Sequence, residues 1–180
     1  MSVIVEIGAG KGNDTIRYAQ TADQVIAVEA HPDTAAELRR RIGPYTNVQI
    51  IEAAVWHSTG HAKMDSNGDY ERRRIHDAGQ LTVDTITLDT IIAPYHVTLL
   101  KLNIEGAETH ALRRANLDNV DKIVVACHDF LGIPTKSDVR TILEQAGFTV
   151  TSNPDAPQDW ARDYLYATKK GASFLAEDAR

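Results

Sequence analysis

Cysteine is all but missing from this sequence, with one residue, Cys127, in 180. A lone thiol excludes an intramolecular disulfide framework and suits a reducing compartment, so a cytoplasmic setting is expected. Long hydrophobic runs are missing as well. The longest, such as Ile123 to Cys127, fall far short of the ~18 residues that a membrane span requires, so no membrane partner is expected. Nor is a secretory leader, because acidic Glu6 interrupts the apolar start. Positive charge is in short supply: 19 Lys and Arg face 25 Asp and Glu, a net charge of −6. Nucleic-acid binding wants a clustered basic surface, and this balance argues against it as the main partnership. What remains, 43% hydrophobic and 24% charged residues, is ordinary globular composition for one domain over residues 1–180.

The apolar runs and amphipathic stretches alternate along the chain. Val3–Ile7, Gln24–Glu29, Val48–Val55, Leu81–Leu88, Val97–Asn103 and Asp121–Cys127 read as strands. Helical patterns follow the first, second, fourth, fifth and sixth of them; Pro32 opens one helix, Gly43-Pro44 closes it, and Gly147 ends the last. Phe148–Ser152 and Tyr164–Thr168 read as a closing hairpin. Strands separated by helices imply right-handed crossovers and an α/β, mostly parallel, doubly wound sheet. The polar stretch 57–80, with Asn67-Gly68 as a turn signal, breaks the pattern and reads as a variable loop or lid. Residues 170–180 read as a frayed tail.

In such a sheet ligands lie beyond the carboxyl ends of the strands. The first strand ends in Glu6-Ile7-Gly8-Ala9-Gly10-Lys11-Gly12. Alternate glycines let the backbone turn tightly and approach a ligand, and the amides around Asn13 and Thr15 open a helix. A phosphate-binding P-loop needs Ser or Thr after Gly-Lys, where this chain has Gly12. A dinucleotide fingerprint needs its third glycine one residue later, at Asn13. An acidic residue ahead of glycines at this spacing fits S-adenosylmethionine better. Glu29 ends the second strand about twenty residues beyond the first glycine, where a carboxylate accepts hydrogen bonds from ribose hydroxyls.

The segment LLKLNIEGAETHALRRA, Leu99 to Ala115, resembles the KxDxEGxE signature of FkbM-type methyltransferases. VIAVEAHPD, EAAVWHSTG and VDTITLDTII recur in that family in the same order. The resemblance implies a class I methyltransferase fold: a Rossmann-like, mostly parallel seven-stranded sheet with an antiparallel C-terminal strand. It also implies S-adenosylmethionine as methyl donor, and a hydroxyl oxygen of a small molecule or glycan as acceptor. Glu6, Gly8, Ala9, Gly10, Gly12 and Thr15 would then surround the methionine end, Glu29 and Ala30 the ribose, and Ala53 and Ala54 the adenine. Asn103 would complete the cofactor site; it stands where the family usually has Asp. The family also usually carries helices ahead of the first strand, which points to an open site mouth or to closure by a homodimer.

An alcohol is a poor nucleophile, so a general base is expected beside the methyl group. The candidates at strand ends are His128 and Glu105, with Asn103 near them. His128 is preferred, because an ordinary histidine pKa near 6.5 suits the task; a strand-terminating histidine is the structural alternative. Glu105 has a rival duty in capping the helix that begins at Gly106, and Glu108 shares its face. Asn103, Asp129 and Glu105 could imitate a divalent-cation site, although no coordination set is fixed and no metal is expected. Arg72, Arg73 and Arg74, with Tyr70 and His76, read as a solvated run or as a grip on an acceptor's phosphate or carboxylate. Amino-methylating DNA enzymes of this fold carry a D/N-P-P-Y/F segment where this chain reads NIEG. A cofactor-binding or partner-binding module without turnover is the alternative to an enzyme.

Overall fold

The computed structural model describes residues 1–66, 73–129, 132 and 134–174, excluding the side chains of Asp159 and Trp160. Asn67, Gly68, Tyr70 and Arg72 of the expected turn and lid lie outside them, as does most of the expected tail.

Seven strands form the main sheet. They are β1 (Val3–Ile7), β2 (Gln24–Glu29), β3 (Val48–Glu52), β7 (Leu99–Leu102), β8 (Lys122–Ala126), β9 (Thr149–Thr151) and β10 (Tyr164–Thr168). Their spatial order is β3-β2-β1-β7-β8-β10-β9. The pairs from β3 through β8 are parallel, and β10 runs antiparallel to both of its neighbours. The order reverses beside β1, so the carboxyl ends of β1 and β7 flank the crevice where such sheets bind ligands.

Strand alternation assigns each side chain a face. Val3, Val5 and Ile7 of β1 join Leu100 and Leu102 of β7 in the larger core. That core also takes in Ile91, Leu112 and Leu143 from α3 (Leu88–Ile92), α4 (Glu108–Leu112) and α5 (Lys136–Gln145). Ile4 and Leu99 face the other way and pack with Tyr18 and Ala19 of α1 (Asn13–Thr21). Leu38 and Ile42 of α2 (Pro32–Ile42) close over Ala27 on that same face. Burying a side chain such as Leu38 contributes roughly 1.5–3 kcal/mol. Glu6 and Lys101, paired in register between β1 and β7, therefore lie on the α1 face, opposite to Ile7.

The apolar run Val48–Val55 is not one strand. It leaves the main sheet after Glu52, and Ala54–Val55 (β4) enters a second, three-stranded sheet in the order β4-β6-β5. β6 (Leu81–Ile86) runs parallel to β4 and antiparallel to β5 (Gly60–Met64). β5 falls within the stretch 57–80 that reads from sequence as an irregular loop. Its side chains are mostly exposed, so it has no buried face to betray it. A bridge between Met64 and Ile75 extends this small sheet over the crevice.

Candidate active site

The glycine bend is shaped by close approach. Gly8, Gly10 and Gly12 all have left-handed backbones, at φ 82°, 56° and 84°. A Cβ on Gly8 would stand 2.0 Å from the Asn103 carbonyl oxygen, and one on Gly12 would stand 2.5 Å from Leu38 Cδ1. Arg41 ties the bend down from α2, donating to the Lys11 carbonyl at 2.6 Å and to Asn13 Oδ1 at 2.8 Å. Glu29 meets the bend directly, since the Gly10 amide donates to its Oε2 at 2.9 Å. The His31 amide donates to its Oε1, also at 2.9 Å. Burial raises the Glu29 pKa, opposed by these backbone hydrogen bonds. A carboxylate has about four acceptor sites, so two bonds leave capacity for a ligand.

These residues line a cavity with about 760 Å³ of free space, its open mouth included. Gly8, Gly10, Glu29, Ala30, Ala53, Ala54 and Asn103, named from sequence as cofactor residues, all border it, as does Glu105, named as a catalytic candidate. The second sheet adds Met64, Arg73 and Ile75, and α2 adds His31 from its N-terminal flank. His31 is 3% exposed, its Nε2 lies 3.3 Å from the Ser66 carbonyl, and its Nδ1 has no partner among the described residues. Arg73 reaches Thr34 Oγ1 at 3.2 Å while its buried Nε has no partner among them. Buried polar atoms are rarely left this way, so two of them in one cavity wall mark a place for a polar ligand. Local sequence patterns missed His31, Met64 and Ile75, and flagged Arg73 only as a solvated run or an acceptor grip; Met64 and Ile75 reach the cavity through their bridge in the small sheet, and His31 from the start of α2.

Four expected cofactor residues do not line the cavity. Thr15 donates to Glu6 Oε2 at 2.6 Å beneath α1. Lys101 lies 3.5 Å from Glu6 Oε1 and also pairs with Asp14. Burial pushes the Glu6 carboxyl up to about 7, against the pull of Lys101 and Thr15. Burial would lower the Lys101 pKa, but Glu6 and Asp14 more than reverse that and hold it above its ordinary value. Ala9 packs with Leu38 and Ile42, and Gly12 serves as the entry to α1.

A second charged cluster lies at the other end of β7. Glu105 has φ 53°, and Gly106 follows at 98°. The turn sends the Glu105 carboxylate to His128 Nε2 at 3.1 Å, while Glu108 takes His128 Nδ1 at 2.8 Å. Glu108, not Glu105, also accepts the Gly106 and Ile104 amides of the turn ahead of α4 at 3.1 and 3.4 Å; the helix begins at Glu108, and neither carboxylate caps it, since its N-cap Ala107 makes no side-chain cap bond. Burial opposes the charge on His128, but the hydrogen bonds its ring donates to the two carboxylates outweigh it and raise its pKa to about 9. The ground for preferring His128 as base, an unshifted imidazole, therefore fails. At neutral pH the ring is a cation donating from both nitrogens, and it lines neither this cavity nor the one beside it.

The cation-site alternative does not fit either. Asp129 Oδ1 accepts the Thr135 and Lys136 amides at 2.8 and 2.9 Å at the start of α5, and Glu105 is engaged by His128. Among the described residues, no group of three His, Cys, Asp or Glu is arranged to hold a metal. Cys127 is buried in the core, which pushes its thiol up to about 12 and leaves it without nucleophilic character.

A seven-stranded sheet of this order, with an acidic residue meeting a glycine bend beside its reversal point, defines a Rossmann-like methyltransferase fold. The family profile described as the methyltransferase FkbM domain matches residues 6–150, and the chain belongs to that family. Among solved structures, SMU.1697c of Streptococcus mutans in complex with SAH is 14% identical at a TM-score of 0.57, covering 94% of this chain and 89% of that one. Fibrillarin of Aeropyrum pernix with natively bound S-adenosyl-L-methionine is 12% identical at a TM-score of 0.53, covering 93% and 66%. Ribosomal RNA small subunit methyltransferase A of Rubrobacter xylanophilus is 49% identical over 51 residues, 28% of this chain. That match spans about a fifth (20%) of the relative's length.

Proposed function

We propose that this chain is an S-adenosylmethionine-dependent O-methyltransferase acting on a hydroxyl of a small molecule or glycan. The observation that carries the reading is the position of Glu105. Its carboxylate stands in the wall between the cavity built by the glycine bend and Glu29 and a second, neighbouring cavity. S-adenosylmethionine bound in the first cavity supplies a methyl group already activated on a sulfonium. Glu29 holds the ribose hydroxyls, Gly8 and Gly10 admit the backbone close to the nucleoside, and Ala53 and Ala54 border the base. His31 Nδ1 and Arg73 Nε, unpartnered among the described residues, add donors at the same wall. Asn103 keeps hydrogen-bonding capacity beside the transfer point without adding a charge. Glu105 takes the acceptor's hydroxyl proton, and cationic His128 holds that carboxylate in place. Proximity and alignment supply most of the acceleration, roughly 7–11 kcal/mol.

Two points favour a small acceptor over nucleic acid: the net charge of −6 and the NIEG segment at residues 103–106. A cytoplasmic setting belongs to the same reading; among the described residues, no helix is long and apolar enough to cross a membrane. The second reading, a binding module without turnover, is favoured by the ion pair with His128, which already engages the Glu105 carboxylate. Calorimetry tests the first step: S-adenosylhomocysteine should bind with micromolar-scale affinity, and Glu29→Ala should weaken it at least thirtyfold. Absence of heat and of thermal shift with clean protein would refute the reading. Methyl transfer to a panel of hydroxylated acceptors, abolished by Glu105→Gln with cofactor affinity retained, separates enzyme from module.

A further inference from the structure

The second cavity has a composition that the proposed function does not account for. It is lined by Trp56, Arg74, Ile75, His76, Glu105, Gly106, Ala107 and His110. Trp56 follows β4, and its amide is held by the Ile86 carbonyl at 2.9 Å, so the indole is fixed to the small sheet. His110, on α4, stacks on it with ring centres 4.1 Å apart and an interplanar angle of 20°. His57 tilts against both rings, at 5.5 and 6.0 Å. Burial, with His57 and Arg113 nearby, lowers the His110 pKa and favours the neutral ring that stacks best. Two basic side chains line the same cavity, Arg74 and His76, which flank the bridged Ile75 in one extended segment. His76 is oriented by Asp65 at 2.6 Å, and the Arg74 amide is held by the same carboxylate at 3.1 Å. Glu105, Ile75 and Ala107 belong to both cavities, so this chamber opens onto the expected transfer point.

Resting on the methyltransferase reading, we propose that this chamber is the acceptor subsite and that it selects a ring-bearing hydroxy compound carrying an anionic group. The ring packs against the Trp56–His110 stack, where a flat or CH-rich face gains dispersion and desolvation energy. Arg74 and His76 receive the phosphate or carboxylate, Arg74 through its forked donors. The hydroxyl then points to Glu105, which among the described residues is the acidic group shared by the two cavities. A neutral ring would satisfy the stack and leave the cations unanswered. A simple anion would satisfy the cations and leave the stack bare. The subsite therefore reads both features together.

The test is titration of the full chain, saturated with S-adenosylhomocysteine, with two acids and their neutral counterparts: glucose 6-phosphate against glucose, and 4-hydroxybenzoate against phenol. Calorimetry gives affinity, and quenching in a Trp160→Phe background assigns the signal to Trp56. At least one acid should bind tenfold or more tightly than its counterpart, and which one identifies the source of the anion. Arg74→Ala should reduce that preference below threefold, and Trp56→Leu should weaken acid and neutral ring alike, both with S-adenosylhomocysteine affinity unchanged. No preference for either acid, or a preference that survives Arg74→Ala, overturns the proposal. So does a short single-stranded RNA that binds this chamber more tightly than either acid. If S-adenosylhomocysteine itself fails to bind the unaltered protein, the methyltransferase reading falls first. If it binds and the acids do not, only the subsite falls.

Discussion

The protein holds two cations, each clasped between two carboxylates, and they differ in what they face. Lys101 lies under α1 between buried Glu6 and partly exposed Asp14, sealed off from the cavities by the sheet itself. His128 lies between Glu105 and Glu108, and one of its carboxylates opens onto both cavities. The first cluster uses an amine whose pKa is held above its ordinary value, so its charge is permanent across working pH. The second uses an imidazole that titrates near 9 and orients a carboxylate available to a ligand. Similar ion-pair geometry thus serves packing in one place and chemistry in the other. Position makes the difference and exposure does not: Asp14 is the more exposed of the two outer carboxylates, but Glu105 is the one that borders the cavities.

The contrast can be broken at either end. Removing the cation from the sealed cluster should do most to stability. Lys101→Met leaves Glu6 buried beside Asp14 and should cost about 3 kcal/mol or more, lowering Tm by roughly 10 °C. The double variant Glu6→Gln/Lys101→Met should recover part of it, and an unchanged Tm in the single variant would show the cluster to be incidental. The open cluster should respond to pH. His128 titrates higher folded than the ordinary 6.5, so its stabilisation is complete below about pH 6.5 and disappears as pH rises through about 9. The expected loss of about 3 kcal/mol should appear as a falling Tm above pH 7, with the slope missing in His128→Gln. Glu6, pushed up to about 7, moves stability in the same direction but mainly between about 4.5 and 7, which leaves the upper window to His128.

Turnover should separate the clusters next. Glu105→Gln should lower kcat about a hundredfold with Tm moved by no more than about 4 °C; equal losses in kcat and stability would erase the distinction. The smallest effect belongs to Thr15→Val, which removes one hydrogen bond to Glu6. About 1 kcal/mol of stability should go, measurable by denaturant titration, with S-adenosylhomocysteine affinity unchanged. A large loss of affinity would return Glu6 and Thr15 to the cofactor site.

The first two strands were legible to the residue, because Val3–Ile7 and Gln24–Glu29 are buried on both faces and bounded by sharp turns. The split at Ala53 was not, since Ile50 and Ile51 before it and Ala54 and Val55 after it are alike apolar, and Glu52 alone interrupts them. Exposed β5 lacks the alternation that reveals a half-buried strand. Within the site, Glu29, the glycines and Glu105 were legible from spacing. Glu6 was misplaced although strand alternation held the clue: with Ile7 toward the cavity, its neighbour must face away. The His128 pairing depends on β8 meeting the turn after β7, a contact that no local pattern encodes.

The seam at Ala53 has a consequence for length. Ala53, Ala54 and Val55 all border the first cavity where the chain passes from one sheet to the other, with the Ala53 amide tied to the Glu29 carbonyl at 3.1 Å. One inserted residue there would exchange inward and outward faces along β4 and disrupt the wall these three residues form together. Surface connections elsewhere can drift in length among related chains, whereas this joint has no slack.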